Sequence, residues 1–124
     1  MTKRLFLANA ALTLPFAVAA LAAPALVFAA FGLELDVAGE LVARGYAATL
    51  LGYGIVFFAL RDATNVQVQR ALLLGSAAFN LVEALVQTGA GFDGVASSVV
   101  WFTALLHLLM GVLSVAAIRP MRPR

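Results

Sequence analysis

The chain has 124 residues, of which 64% are hydrophobic and only 11% charged, whereas a soluble domain carries about 25% charged residues. A soluble fold of this length has too little interior for so many apolar side chains, so the bilayer must act as their solvent. The net charge of +2 comes without a basic patch, which excludes nucleic-acid recognition, and zero cysteines exclude disulfides, thiol catalysis and thiolate metal sites.

The first apolar run, about 5–31, follows Lys3 and Arg4 and contains Pro15 and Pro24. It is far longer than the roughly 7–15 residues of a secretory-signal core, so it reads as a retained first helix. A bend is expected near each proline, which lacks an N–H and crowds the carbonyl four residues back. An acidic link with Glu34, Asp36 and Glu40 leads to a second span, about 41–60, where Gly45, Gly52 and Gly54 are expected to permit close helix approach. The stretch 61–70, bracketed by Arg61 and Arg70, is the only markedly polar one and predicts a short turn with helical shoulders. A third span covers about 71–90, and Gly91-Phe92-Asp93-Gly94 turns the chain into a fourth, about 97–118. Trp101 suits the membrane interface near the start of that span, and Pro120 stops it.

Seven of the eight basic residues (Lys3, Arg4, Arg61, Arg70, Arg119, Arg122 and Arg124) fall at the termini or in the central link. The excess of Lys and Arg in short loops sets orientation, so both termini are expected on the cytoplasmic side. The predicted fold is therefore all-α, a single integral-membrane domain over 1–124. Short links predict an up-down four-helix bundle with sequential helices as antiparallel neighbours.

The third span places Ser76, Asn80, Glu83 and Gln87 within an arc of roughly 60° at ~100° per residue. The fourth places Thr103, His107 and Ser114 within about 40° by the same rule. Two polar stripes on consecutive helices predict one shared seam. Asn80 and His107 each lie about ten residues, ~15 Å, from the outer turn, and Glu83 lies one turn shallower. Ionisable groups inside a span commonly mark function, and a lone carboxylate there is costly, so Glu83 must be paired, hydrogen-bonded or protonated. Arg44 enters the second span from the same side. It can reach Glu83 as a counter-ion, or pair with Glu40 four residues earlier and reach the interface.

Tyr46, Thr49 and Tyr53 form a further stripe, about 200° around the helix from Arg44. If Arg44 points inward, these tyrosines meet lipid or a partner subunit. The simplest reading of them is ordinary aromatics spread along a helix. Asn9 and Thr13 make a short polar patch on the first span. The binding or proton-carrying candidates are thus Arg44, Asn80, Glu83, Gln87, Thr103 and His107. One histidine and one carboxylate are too few for zinc, and neither a metal nor a cofactor is expected.

The stretch 24–62 resembles a group of small bacterial inner-membrane proteins with four predicted spans and no assigned activity. The shared elements are Phe31-Gly32-Leu33-Glu34-Leu35, Leu41-Val42-Ala43-Arg44-Gly45-Tyr46-Ala47-Ala48, Leu51-Gly52-Tyr53-Gly54 and Arg61, with Leu106-His107-Leu108-Leu109 further on. The resemblance implies a four-helix domain in a bacterial cytoplasmic (inner) membrane and supplies no substrate. Asn80-x-x-Glu83 also has the spacing of a motif in short four-helix membrane enzymes of eicosanoid and glutathione metabolism. Those enzymes carry arginines just before the Asn, and here the nearest upstream one is Arg70. That spacing is read as coincidence.

Three functions follow as expectations. The first is a non-enzymatic protein that binds a lipid or small ligand, or serves as an accessory subunit, with the bilayer and a homo-oligomer or larger membrane complex as partners. The second is a proton-coupled transporter or channel using Glu83 and His107. Ranked last is a membrane enzyme with the same two groups as an acid–base pair.

Overall fold

The computed structural model describes residues 2–121, so Arg122 and Arg124, counted among the closing basic residues, lie outside the described residues. The chain forms five helices: α1 (Thr2–Ala22), α2 (Pro24–Ala29), α3 (Val37–Ala59), α4 (Val66–Phe92) and α5 (Val99–Ile118), with no strand among the described residues. All but α2 are long and apolar enough to cross a membrane. At ~1.5 Å per residue their 20–27 residues reach roughly 30–40 Å, enough for a ~30 Å hydrocarbon core.

The two prolines of the first apolar run act differently. α1 passes through Pro15 without interruption, whereas the helix breaks before Pro24, where Ala23 adopts φ −143° and ψ 67°. A residue preceding proline is pushed out of the helical region, and proline itself suits the first turn of the next helix. The first span is thus one long helix and a six-residue helix, α2. α4 is longer than its expected 71–90, because the helical shoulder of the polar link begins at Val66. Asn65 caps it, its Oδ1 accepting from the N–H groups of Gln67 at 2.8 Å and Val68 at 3.2 Å. Asp36 caps α3 similarly, accepting from Gly39 N–H at 2.7 Å. Such caps satisfy donors that helix starts leave free.

The closest packing is within two helix pairs, α1 with α3 and α4 with α5. Glycine sets both contacts. A Cβ at Gly54 would lie 2.7 Å from the Thr13 side chain of α1, and one at Gly111 would lie 2.8 Å from Leu81 of α4. Gly45 and Gly52, expected to share this role, have nothing within 4 Å and sit on the exposed face of α3. Of the three glycines on that span, only Gly54 mediates a helix contact.

The pairs meet differently at their two ends. At one, which we term the terminal end, Lys3 Nζ bonds Asp62 of the α3–α4 turn at 2.6 Å. Beneath it lies an apolar core of Leu5, Phe6, Phe57, Leu73, Met110 and Ala117. Phe6 and Phe57 pack edge to face at 5.3 Å between centroids. At the other, the loop end, Ser97 N–H donates to the Phe31 carbonyl at 2.6 Å and joins the α2–α3 and α4–α5 connections. Gly32 makes that approach feasible: its φ of +76° suits glycine, and a Cβ there would meet Ser97 at 3.1 Å.

Candidate functional site

The stripe on α4 and the stripe on α5 do face one another, and the seam they form divides into two parts. The deeper part centres on Asn9 of α1. Its Nδ2 donates to the Leu5 carbonyl at 2.9 Å, which turns Oδ1 toward the other helices. That oxygen accepts from Tyr53 OH at 2.8 Å, Ser76 Oγ at 3.2 Å and Asn80 Nδ2 at 3.4 Å. Ser76 and Ser114 hydroxyls lie 3.0 Å apart, and Ser114 donates to the Met110 carbonyl at 2.8 Å. Asn9, Ser76 and Asn80 are 3%, 0% and 4% exposed, so these bonds replace water entirely. Four helices meet in this one network.

Asn80 links the network to His107. Its Nδ2 donates to the Ser76 carbonyl at 2.9 Å, an orientation that leaves Oδ1 facing His107 Nδ1 at 2.8 Å. An amide oxygen can only accept, so the proton is assigned to Nδ1. When the ring is neutral, this leaves its Nε2 lone pair free.

The shallower part of the seam holds Glu83 and Gln87. Glu83 Oε1 accepts from Tyr46 OH of α3 at 3.0 Å, and its Oε2 accepts from Gln87 Nε2 at 3.1 Å. The counter-ion reading of Arg44 is corrected here. Arg44 Nη1 pairs with Glu40 at 3.1 Å on the outside of α3, beside Leu41 and Val42, each 72% exposed. The cause is the angle between positions 44 and 46. Only one can face inward, and the tyrosine edge does. Tyr46 and Tyr53, read from sequence as ordinary aromatics, are instead hydrogen-bonded members of the seam. Their spacing of seven residues on one face, opposite Arg44, was the available signal.

Between the helix pairs, toward the loop end, lies a cavity of about 350 Å³. One wall carries Tyr46, Asn80, Glu83, Gln87, Thr103 and His107. The rest of the lining is mostly apolar and includes Phe16, Phe28 and Phe31, mutually packed at 6.3–6.4 Å between centroids, while Asn9 and Thr13 add polar groups from α1. Five of the six sequence candidates therefore share one cavity, and Arg44 does not line it. Thr103 donates to the Val100 carbonyl at 3.0 Å within its own helix. Gln87 Oε1 is buried and has no partner. Among the described residues no three His, Asp or Glu groups lie together as a metal site would need. The cavity can hold an apolar molecule against the phenylalanines while its polar group meets the seam.

Comparison with protein-family models, with curated proteins and with solved structures finds no match to this chain. The resemblance along 24–62 gains no support from them, and function rests on the cavity.

Proposed function

We propose that this protein binds a small amphiphile within the membrane, in the cavity between its two helix pairs. The observation that carries this reading is a cavity with a mostly apolar, Phe-rich lining that also takes in Glu83, Gln87 and His107. Ligand sites commonly combine a mostly apolar lining with a few placed polar groups. In this reading the four long helices form an up-down bundle in a bacterial cytoplasmic membrane, with both termini inside because the basic residues gather there. The loop end, and the cavity with it, then lies nearer the outer face.

The transporter and acid–base readings rest on Glu83 and His107 lining the same cavity. Transport needs a polar path through the protein. Below Ser76 and Ser114 the seam runs into Phe6 and Leu73, both 0% exposed, which favours a chamber closed at the terminal end. An accessory-subunit role is compatible with binding, and no surface feature favours it further.

Native mass spectrometry of protein released from native-membrane nanodiscs tests the proposal, comparing wild type with Ala90→Trp, whose new ring would occupy the cavity that Ala90 lines. A small bound mass on wild type that is lost from an equally heat-stable variant is expected. The same bound mass on both, or none on either, would overturn it.

A further inference from the structure

We infer that the amphiphile carries a protonated primary or secondary amine, held at Glu83 and His107. This rests on the cavity being a binding site and adds the chemistry of the ligand's head. Hydrogen-bond accounting on the polar wall supplies the argument. A carboxylate offers about four lone-pair sites, and Glu83 uses one on each oxygen, for Tyr46 and Gln87. Gln87 Oε1 also accepts from nothing, but it is sealed from the cavity and adds no contact for a ligand. As the neutral ring, with Nδ1 donating to Asn80, His107 presents Nε2 as an acceptor. The Thr103 hydroxyl proton is already committed to Val100. What remains unused is chiefly acceptor capacity at Glu83 and His107, set against the second amide hydrogens of Gln87 and Asn9.

Charge points the same way. Glu83 forms no ion pair among the described residues: Arg44 is held by Glu40, while Lys3 and Arg61 lie against Asp62. The cavity thus holds a carboxylate with two neutral donors and no cation. An ammonium head would supply both the missing charge and two or three N–H donors for the free acceptors. An anionic head would oppose Glu83, and an alcohol would satisfy one acceptor while leaving the charge uncompensated.

The volume of about 350 Å³ has room for about a dozen water-sized atoms. That suits a single-ring or short-chain amine and excludes a whole two-chain lipid, although a lipid's ammonium head could enter from the side. Both sources share the same chemistry.

The test uses the full-length protein in phosphatidylcholine nanodiscs at neutral pH, with empty nanodiscs correcting for partition. Three probes of matched size are titrated: 4-phenylbutylamine, 4-phenylbutanol and 4-phenylbutyrate. The amine is expected to bind about tenfold or more tighter than the alcohol, as a charge-assisted hydrogen bond should, and the carboxylate weakest. Glu83→Gln should bring the amine down to the alcohol's affinity. Adding phosphatidylethanolamine separates the sources. Competition with the amine supports a lipid ammonium as occupant, and unchanged affinity supports a free amine.

Alcohol binding as tight as the amine's, or an amine preference that survives Glu83→Gln, would overturn the head-group inference and leave the binding site standing. Should Glu83→Gln fail to fold, the wild-type ratio of amine to alcohol decides alone. No binding of any probe above empty nanodiscs, joined with no bound mass lost in Ala90→Trp, would remove the site itself.

Discussion

The two halves of the polar seam use similar side chains to opposite ends. Around Asn9, Ser76, Asn80 and Ser114, each side chain is bonded to protein and almost wholly buried. One turn further along α4, Glu83 and Gln87 line a cavity, and Glu83 has acceptor capacity left over. A satisfied network inside a membrane protein steadies helix packing. Unfilled valences beside a cavity are the part that can respond to a ligand. Whether the valences are filled, more than the residue types, separates the structural half from the candidate site.

Substitutions can break that contrast, and the largest effect is expected at its structural pole. Asn9→Leu removes the acceptor shared by Tyr53, Ser76 and Asn80. Leaving such donors unpaired should cost about 2–3 kcal/mol, read as a lowered unfolding midpoint in mixed micelles. An unchanged midpoint would mean that the network contributes no net stability.

Gly54→Val comes next, at about 1–3 kcal/mol from overpacking. Its Cβ would meet Thr13 and Leu14 at 2.7 Å, whereas Gly52→Val points into open space and should be close to neutral by the same measurement. Equal losses at both positions would refute glycine-mediated packing of α1 on α3.

A smaller difference should separate Tyr46→Phe from Arg44→Ala. The first removes one interhelical bond to Glu83 and is expected to cost about 0.5–1 kcal/mol. The second breaks an exposed pair on the outer side of α3, at about 0.5 kcal/mol or less. Arg44→Ala should also leave amine binding unchanged, while Tyr46→Phe alters it. The reverse order would return Arg44 to the site.

The smallest effect concerns pH at the terminal end. The hydrogen bond from Lys3 holds the exposed Asp62 carboxyl below its ordinary value, opposed by desolvation and helped by the charges of Lys3 and Arg61. A lowered native value means a contribution present above the ordinary aspartate range and lost as pH falls through the lowered one. Salt should screen it. Thermal melts of wild type and Asp62→Asn should therefore converge in acid and at high ionic strength. A gap that persists in acid would point to something other than this ion pair.

The long apolar helices and the stripes on α4 and α5 were legible in the sequence because they depend on local quantities. Hydropathy over about 20 residues and a ~100° step identify a span and its polar face without any neighbour. The helix break was half legible: proline chemistry marks both Pro15 and Pro24, and only the second interrupts the helix. Asn9 and Thr13 showed up only as a slight patch, since a single buried asparagine has no periodic signature. Its importance comes from donors on α3 and α4 far along the chain.

What the sequence by itself determined, then, is an all-helical chain with four helices long and apolar enough to cross a membrane, and with Ser76, Asn80, Glu83 and Gln87 on one face of α4. Tertiary structure alone decided which side of α3 turns inward, and with it the exchange of Arg44 for Tyr46 beside Glu83. It also decided where helix pairs close and where they stand apart around a cavity. Both depend on distances between segments remote in sequence. Rotating α3 by half a turn leaves every local propensity unchanged, and only packing against α1 and α4 tells the two orientations apart.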